Sequence, residues 1–373
     1  MTFLETIAKF DRVVRLLSFY FSPRLAIELY SRGRREFVHA LSEEQLSTPR
    51  YINSGNKVTI WGVEFGNRLM NAAGMFKNGV GYDVSYMQGA GAFLAGTTTA
   101  TPRAGNSKNG ILHPFMPYPR SEAALNWMGL PNDSHETVAE RLSRINKKDG
   151  CPIGVSLSES PGVDFDIAMA GVVNGFMLYE KAGVTFAELN ESCPNTGEHH
   201  DSTNLLDNTL ISRLEYIRDK YIKHSGKSIP IVVKFSTDTD LAQVPSLVNL
   251  LIDMGFGGVN FGNTSVNYMD KLIQIDHKEE DNFRYFMTHF GGGISGKPLR
   301  ADSLNLASEA VKIRNSRELH KEFIVIRTGG IETIEDYNAS VDAGIDLMQW
   351  FTGYFELFSK HGHDLYKHLF TQK

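Results

Sequence analysis

The sequence predicts an α/β fold, a single (β/α)8 TIM barrel over residues 51–373 preceded by a small N-terminal helical extension over residues 1–50. From residue 57 onward, short apolar runs alternate with amphipathic segments of helical period, and there are eight such units. Nearly every apolar run is followed by a polar, lysine or glycine residue, as expected where active-site loops leave barrel strands. A chain of 373 residues, 42% of them hydrophobic, has enough apolar material for one barrel core.

The first fifty residues predict two helices. Ser22 followed by Pro23 predicts the start of the second helix, which reaches about Leu41, although Gly33 inside it weakens the expectation of an unbroken helix. Two interpretations stay open: a hairpin packed on the barrel, or an element within residues 1–45 that lies on a membrane surface or forms the mouth of a hydrophobic tunnel. The first helix is predicted from apolar residues three or four positions apart, which share one face: Phe3, Ile7, Phe10, Val14, Leu17 and Phe21.

Eight apolar runs define the predicted barrel strands, and an additional hairpin strand at Val58–Val63 is expected near the barrel floor. The segments between the strands include the predicted helices Leu205–Tyr221, Ala242–Met254, Ser303–Ile313 and Ile334–Ala343. The predicted strands are Leu69–Ala73, Phe93–Ala95, Ile153–Leu157, Phe186–Asn190, Ile231–Phe235, Gly258–Phe261, Ile324–Arg327 and Leu347–Trp350.

Charge and cysteine content narrow the class of function. A net charge of −5 provides no basic excess for binding phosphate backbones, so nucleic acid is not expected as a partner. The two cysteines, Cys151 and Cys193, form neither a disulfide framework nor a metal-ligand pattern, and we expect no metal. Cys151 is expected to be a buried small residue. Without a signal peptide or an apolar stretch of membrane-spanning length, a cytoplasmic location is expected.

Two features at strand ends point to a nucleotide-like cofactor. Gly329 and Gly330 follow the seventh strand, where backbone N–H groups of a barrel commonly bind phosphate, although a Gly-Gly pair is also compatible with an ordinary turn. Lys234 ends an apolar strand, where a lysine is costly unless it meets an anion. The N1–C2 carbonyl edge of a flavin would be a fitting partner. The alternative is a lysine that extends out of the barrel end.

Cys193 lies in the loop after the fourth strand, beside Pro194. A thiol whose pKa is lowered by nearby donors can remove a proton from carbon, whereas the alternative is an inert loop thiol. Four asparagines at predicted loop positions would suit a planar ligand with several carbonyl and N–H groups, although asparagine is also common in turns. They are Asn126, Asn190, Asn195 and Asn263.

These residues resemble the dihydroorotate dehydrogenase family over roughly residues 50–360. The resemblance is carried by several segments in combination: Asn71-Ala72-Ala73-Gly74 with Lys77, Gly96-Thr97 with Thr101-Pro102-Arg103, Asn126-Trp127-Met128-Gly129, Asn190 to Asn195, Val233-Lys234, Asn263-Thr264, Gly292 to Leu299, and Thr328-Gly329-Gly330-Ile331.

The resemblance implies noncovalently bound FMN and oxidation of dihydroorotate to orotate, a step of pyrimidine biosynthesis. Cys193 would take the proton from C5, and the hydride from C6 would pass to flavin N5. The substrate would be held by Lys77, Asn126, Asn190, Asn195, Asn263 and Thr264. The FMN site would include Ala73, Gly74, Thr97, Ser156, Asn190, Lys234, Gly296, Gly329, Gly330, Phe351 and Thr352.

The subclass signals are mixed. The N-terminal helices, Lys77 and Gly96-Thr97 resemble the membrane-associated quinone-reducing class, whereas Cys193 resembles the soluble class and Ser156 replaces the asparagine usual in the quinone class. Residues 196–201 replace the family's usual proline-glycine turn, so the alternatives are another dihydropyrimidine or cyclic amide as substrate, or a non-catalytic flavin-binding paralogue. A quinone is the expected electron acceptor, with fumarate and NAD as alternatives. Residues 1–45 would then contact the inner face of the cytoplasmic membrane peripherally.

Overall fold

The computed structural model describes residues 1–52, 55–191, 205–224 and 228–371. Eight parallel strands form a nearly closed barrel with helices between them, which confirms the predicted fold class. The barrel strands are β3 Leu69–Asn71, β4 Phe93–Thr98, β9 Ile153–Leu157, β10 Phe186–Asn190, β11 Ile231–Ser236, β12 Gly258–Asn263, β14 Ile324–Thr328 and β15 Leu347–Trp350. Around the barrel they follow the order β3-β15-β14-β12-β11-β10-β9-β4.

The seam between β3 and β4 is joined partly by a side chain. Asn71 accepts a hydrogen bond from the backbone N–H of Leu94 at 3.1 Å and donates one to its carbonyl at 2.7 Å. Beyond this amide, the N–H of Gly74 donates to the carbonyl of Gly96 at 2.7 Å. The asparagine side chain thus supplies the donor and acceptor that a backbone pair would supply elsewhere in the barrel.

Helices alternate with the strands and pack their apolar faces on the barrel. The segment predicted as Ser303–Ile313 is longer in the structure, where its helix begins at Arg300 and ends at Asn315. The helix bounds are α3 Tyr82–Gln88, α4 His135–Ser143, α5 Phe165–Lys181, α6 Asn208–Ile217, α7 Val244–Met254, α8 Tyr268–Leu272, α9 Glu280–His289, α10 Arg300–Asn315, α11 Ile334–Asp342, α12 Thr352–His361 and α13 Leu365–Thr371.

The floor of the barrel is closed by a short antiparallel hairpin, β1 Val58–Ile60 and β2 Val63–Phe65. Phe65, the last residue of β2, and Trp61, in the hairpin turn, both pack on Phe186, the first residue of β10. Their ring centroids lie 6.2 Å and 5.6 Å, respectively, from that of Phe186. The predicted extra strand at Val58–Val63 is therefore present, but it is divided into two strands by the turn.

A second antiparallel sheet, which the sequence analysis did not predict, covers part of the opposite end. It consists of β7 Phe115–Tyr118, β8 Ala123–Asn126 and β13 Gly293–Gly296, in the order β13-β8-β7. A small hairpin precedes it, with β5 Ser107–Lys108 and β6 Ile111–Leu112. Asn126 and Asn263 are the last residues of β8 and β12, so these two amides do not lie in loops as predicted, whereas Asn190 ends β10 at the bound predicted for the fourth strand.

The N-terminal residues form α1 Phe3–Val14, a 3-10 turn Arg15–Tyr20, and α2 Pro23–Glu43. Ser22 caps α2 as predicted, and the helix runs through Gly33 without a break. Leu4 and Ala8 are buried, whereas the predicted apolar face is largely exposed, with Phe3 at 77% and Phe10 at 69%. Among the described residues, no helix combines the length and hydropathy needed to cross a bilayer.

Candidate active site

A cavity of about 130 Å³ opens at the carboxyl ends of the barrel strands. This end carries the active site in (β/α)8 enzymes. Fourteen of the predicted site residues line it: Ala73, Gly74, Lys77, Thr97, Asn126, Asn190, Lys234, Asn263, Thr264, Gly296, Gly329, Gly330, Phe351 and Thr352.

Three predicted residues do not appear in this lining. Ser156 is fully buried on β9, where its hydroxyl lies 2.9 Å from the hydroxyl of Thr97, so Ser156 supports the cavity wall from behind. Cys193 and Asn195 lie outside the described residues. The last described residue before them, Glu191, is buried against Arg213 of α6, and its Oε2 lies 2.7 Å from a guanidinium nitrogen.

One corner of the cavity suits a phosphate. The loop after β14 carries Gly330, where φ is +68° and a Cβ atom would lie 2.4 Å from the Cα of Arg300. At Gly353, a Cβ atom would lie 2.1 Å from the carbonyl oxygen of Ile331. The ten-residue helix α12 begins here, and Phe351 at its N-cap position provides no side-chain hydrogen bond. The first backbone N–H groups of a helix lack intrahelical acceptors, so the N-terminus of α12 favours an anion at this corner.

Lys234, inside the barrel, has a carboxylate partner that was not predicted from the sequence. Lys234 Nζ lies 3.2 Å from Glu188 Oε1 and 3.2 Å from Gln349 Oε1. The other carboxylate oxygen of Glu188 accepts hydrogen bonds from Asn260 at 2.9 Å and from Gln349 at 2.7 Å. Lys234 therefore points into the barrel, and the alternative of a lysine extending out of its end is wrong. Polar residues within the apolar strands were the signal that could have found this network.

The amides meet at the centre of the cavity. Asn263 donates a hydrogen bond to Asn190 Oδ1 at 3.0 Å, and Asn190 contacts Thr97 Oγ1 at 3.4 Å. The backbone N–H of Thr264 donates to Asn263 Oδ1 at 3.0 Å, which orients that side chain. Asn126 reaches the same cavity from β8. Together with Lys77, these groups suit a small planar ligand that carries both negative charge and amide functions.

A second, mostly apolar cavity of about 370 Å³ lies between α1, α2, α12 and the sheet of β7 and β8. Phe351 and Thr352 line both cavities. Phe3, Ile7, Phe10, Leu17, Phe21, Leu25 and Leu29 are exposed on the helices around this cavity.

Arg34 of α2 lies at the junction of the two cavities. Its guanidinium donates to the carbonyl of Gly74 at 3.2 Å and lies over the rings of Phe115 and Phe351, 5.4 and 5.2 Å from their centroids. Among the described residues, Nε of Arg34 meets no hydrogen-bond acceptor. Burial, together with the neighbouring charge of Arg35, lowers the pKa of Arg34 to about 10. The site therefore favours a carbonyl or an anionic group beside this guanidinium.

The chain is similar in sequence to known proteins over most of its length. The family model for dihydroorotate dehydrogenase matches residues 56–369. A dihydroorotate dehydrogenase (quinone) of Dichelobacter nodosus is 29% identical over 91% of this chain and 92% of its own length. A protein of the same description from Synechococcus is 30% identical over 80% of this chain and 74% of its own length.

Solved structures support the fold. A structure of DHODH in complex with ferulenol from Eimeria tenella has a TM-score of 0.73 and 20% identity, covering 90% of this chain and 89% of that chain. The ligand-free form from the same organism has a TM-score of 0.71 and 21% identity, covering 91% and 93%. With the match over residues 56–369, the chain belongs to the dihydroorotate dehydrogenase family, oxidoreductases that act on a CH–CH donor.

Proposed function

We propose that the chain binds FMN, oxidises dihydroorotate to orotate in pyrimidine biosynthesis, and passes the electrons to a quinone. The observation that carries this proposal is the pair of cavities that share Phe351 and Thr352 as a wall. The polar cavity suits a charged heterocycle and the apolar cavity suits a quinone. Curated relatives are described as dihydroorotate dehydrogenase (quinone), in agreement with such an arrangement.

The residues present fit FMN. Its phosphate would lie at the corner formed by Gly330 and the N-terminus of α12, where added Cβ atoms would clash with backbone. Lys234, held by Glu188 inside the barrel, would face the flavin ring edge that gains negative charge on reduction. The backbone of Ala73 and Gly74 and the hydroxyl of Thr97 would form the remaining contacts. When bound, the flavin supplies a hydride acceptor.

The protein's own groups would position the substrate and remove its proton. Lys77 would pair with the substrate carboxylate, and Asn126, Asn190 and Asn263 would hydrogen-bond the ring amides. Asn195 and Cys193 would join them from the segment that follows Glu191, with Cys193 Sγ taking the proton from C5. Thr264 would orient Asn263 through its backbone N–H.

The second cavity would receive the quinone. Its apolar lining suits a ring with an isoprenoid tail, and the buried guanidinium of Arg34 would contact a carbonyl oxygen at the end nearest Gly74. The exposed apolar side chains of α1 and α2 would contact the membrane surface that holds the quinone. We place this contact at the inner face of the cytoplasmic membrane.

Anaerobic reduction tests the proposed chemistry. The purified protein should carry FMN, and its absorbance near 450 nm should bleach when dihydroorotate is added. Cys193→Ala should keep FMN but lose at least about a hundredfold in the rate of reduction at neutral pH, the contribution typical of a general base. The matched control is Cys151→Ala, because Cys151 is buried away from the cavity and burial raises the pKa of its thiol to about 12.

Two results would contradict parts of this proposal. Bound flavin that stays oxidised with dihydroorotate but bleaches with another dihydropyrimidine would reject the substrate. Equal reduction rates for Cys193→Ala and the wild type would reject the base. Steady-state turnover with a quinone, fumarate and NAD, compared side by side, decides the acceptor.

A further inference from the structure

The apolar cavity has a line of polar side chains along one wall. Tyr30 precedes Arg34 by one helical turn on α2, a rise of about 6 Å, and both line the cavity. The hydroxyl of Tyr30 donates a hydrogen bond to Asp11 Oδ1 of α1 at 3.4 Å. Asp11, half-buried in the same lining, therefore continues the line that begins beside Gly74 at the cofactor end.

Asp11 and Glu356 both line this wall of the cavity, but their side chains have different hydrogen-bond partners. Glu356 of α12 receives both terminal nitrogens of Arg15, at 2.7 Å each, in a buried bidentate pair. Arg15, Tyr30 and Glu356 are the groups that face Asp11 from the turn after α1, from α2 and from α12. Desolvation by burial raises the pKa of Asp11, and it outweighs the opposing effects of the Arg15 charge and the Tyr30 hydrogen bond. A carboxyl group so placed holds a proton at higher pH than an exposed aspartate does.

We propose that Asp11 donates a proton through the Tyr30 hydroxyl to the oxygen of the quinone as it is reduced in this cavity. This role rests on the proposed quinone acceptor. Conversion of a quinone to a quinol requires two electrons and two protons. Bound FMN, once reduced, would supply both electrons and one of the protons, and the protein supplies the second proton. The O–H bond of Tyr30 breaks as an O–H bond forms on the quinone oxygen, the O–H bond of Asp11 breaks as its proton restores the Tyr30 hydroxyl, and a proton from solvent restores the carboxyl group of Asp11.

The test uses the full-length FMN-containing protein, first reduced with dihydroorotate and then mixed with a short-chain ubiquinone in a stopped-flow instrument. Asp11→Asn should slow reoxidation at least tenfold, because a positioned general acid contributes about 10²–10⁴-fold. Tyr30→Phe should also slow this step. The control, Glu28→Gln, removes an equal charge from an exposed position of α2 and should match the wild type.

Three further readouts separate proton donation from a structural effect. Wild-type reoxidation should fall as pH rises through the raised pKa of Asp11, and Asp11→Asn should show no such fall. Reoxidation in deuterated water should be slower for the wild type than in ordinary water, with a smaller difference for Asp11→Asn. Ubiquinone binding to the oxidised variant, measured by calorimetry, should remain within about threefold of the wild type, as should reoxidation by ferricyanide, which takes no proton.

Each adverse result has a distinct meaning. If Asp11→Asn is reoxidised by ubiquinone at the wild-type rate, or is slowed equally with ferricyanide, Asp11 is not the donor. If the reduced wild type does not react with ubiquinone at all, the quinone acceptor itself is rejected and the donor role is rejected with it.

Discussion

Lys234 and Glu188 form an ion pair inside the barrel, and the effect of removing one partner of such a pair on stability depends on how deeply the pair is buried. Lys234 and Glu188 are 5% and 0% exposed, whereas Lys57 and Glu64 form a pair of 2.7 Å that is 49% and 48% exposed. In water, a surface pair contributes about 0–1 kcal/mol. In the interior, loss of one partner leaves a charge that neither solvent nor another ion stabilises, at a cost of about 3–5 kcal/mol.

Glu188→Gln should therefore destabilise the protein far more than Glu64→Gln. The shape is retained, but the ammonium of Lys234 loses its carboxylate while Asn260 and Gln349 lose a charged acceptor. We expect the free energy of unfolding to fall by about 3–5 kcal/mol, against less than about 1 kcal/mol for Glu64→Gln. Urea unfolding of FMN-free protein measures both changes. Equal, small losses in the two variants would show that the barrel interior is well solvated.

The sequence predicts that Lys234 has an anionic partner, but it does not identify that partner. A lysine at the end of an apolar strand requires an anion, and that requirement is met. The anion found in the structure is Glu188, which lies two positions before the end of the predicted strand Phe186–Asn190. Which side chains share the barrel interior depends on the register between neighbouring strands, which pairs Asn190 with Lys234. A single sequence contains no measure of that register.

At the scale of elements, the strands were predictable and the covering sheet was not. Barrel strands are buried on both faces, so each one is an apolar run that stands out from its neighbours. In contrast, β8 pairs with β13, more than 160 residues later in the chain, and each strand has only four residues. Helix α2 passes through Gly33 because Ala26, Ile27, Ser31 and Leu41 are buried on one face, and that packing outweighs about 1 kcal/mol for a glycine.

Substitutions at Gly33 should distinguish effects on the stability of α2 from effects on the entry of a quinone into the apolar cavity. Gly33 lines that cavity, and a Cβ atom there would have nothing within 4 Å. Gly33→Ala should therefore raise the free energy of unfolding by about 0.5–1 kcal/mol and leave quinone reduction unchanged. Gly33→Leu should gain similar helix propensity but occupy part of the cavity, which raises the KM for a long-chain ubiquinone. Turnover with a soluble dye is the control, and an equal effect of Gly33→Leu on both acceptors would indicate that the quinone does not use this route.

At the scale of the whole molecule, the proposed function depends on how two differently lined cavities meet. The barrel supplies the polar cavity, and the N-terminal helices complete the apolar one, with Phe351 and Thr352 between them. The order of strands and helices therefore suffices to locate the first cavity from sequence. The second depends on the angle at which α1 and α2 pack on α12 and β7, which is set by tertiary contacts such as the Arg15–Glu356 pair. Helices α1 and α2 pack on α12 and β7, and the interpretation of the N-terminal residues as a tunnel mouth or membrane element stays a prediction.

The exposed face of the N-terminal helices should bind anionic membranes. Phe10 and Phe21 are 69% and 47% exposed, and basic Lys9 and Arg12 are exposed beside them. Burying each aromatic ring at an interface contributes on the order of 1–2 kcal/mol, so the double variant Phe10→Ser/Phe21→Ser should lower the partition coefficient onto vesicles at least tenfold. The basic residues should make binding weaken as salt rises.

Sedimentation with vesicles of phosphatidylglycerol and phosphatidylethanolamine measures this partition. The control changes two apolar residues of the barrel that are at least as exposed, Met269 and Ile273, to serine. The N-terminal double variant should retain its rate of reduction by dihydroorotate and lose turnover only with vesicle-bound quinone, because its substitutions lie outside the polar cavity. If both double variants leave the vesicles equally, or neither does, the apolar face of α1 and α2 is not a membrane contact, and the quinone must reach Arg34 from solution.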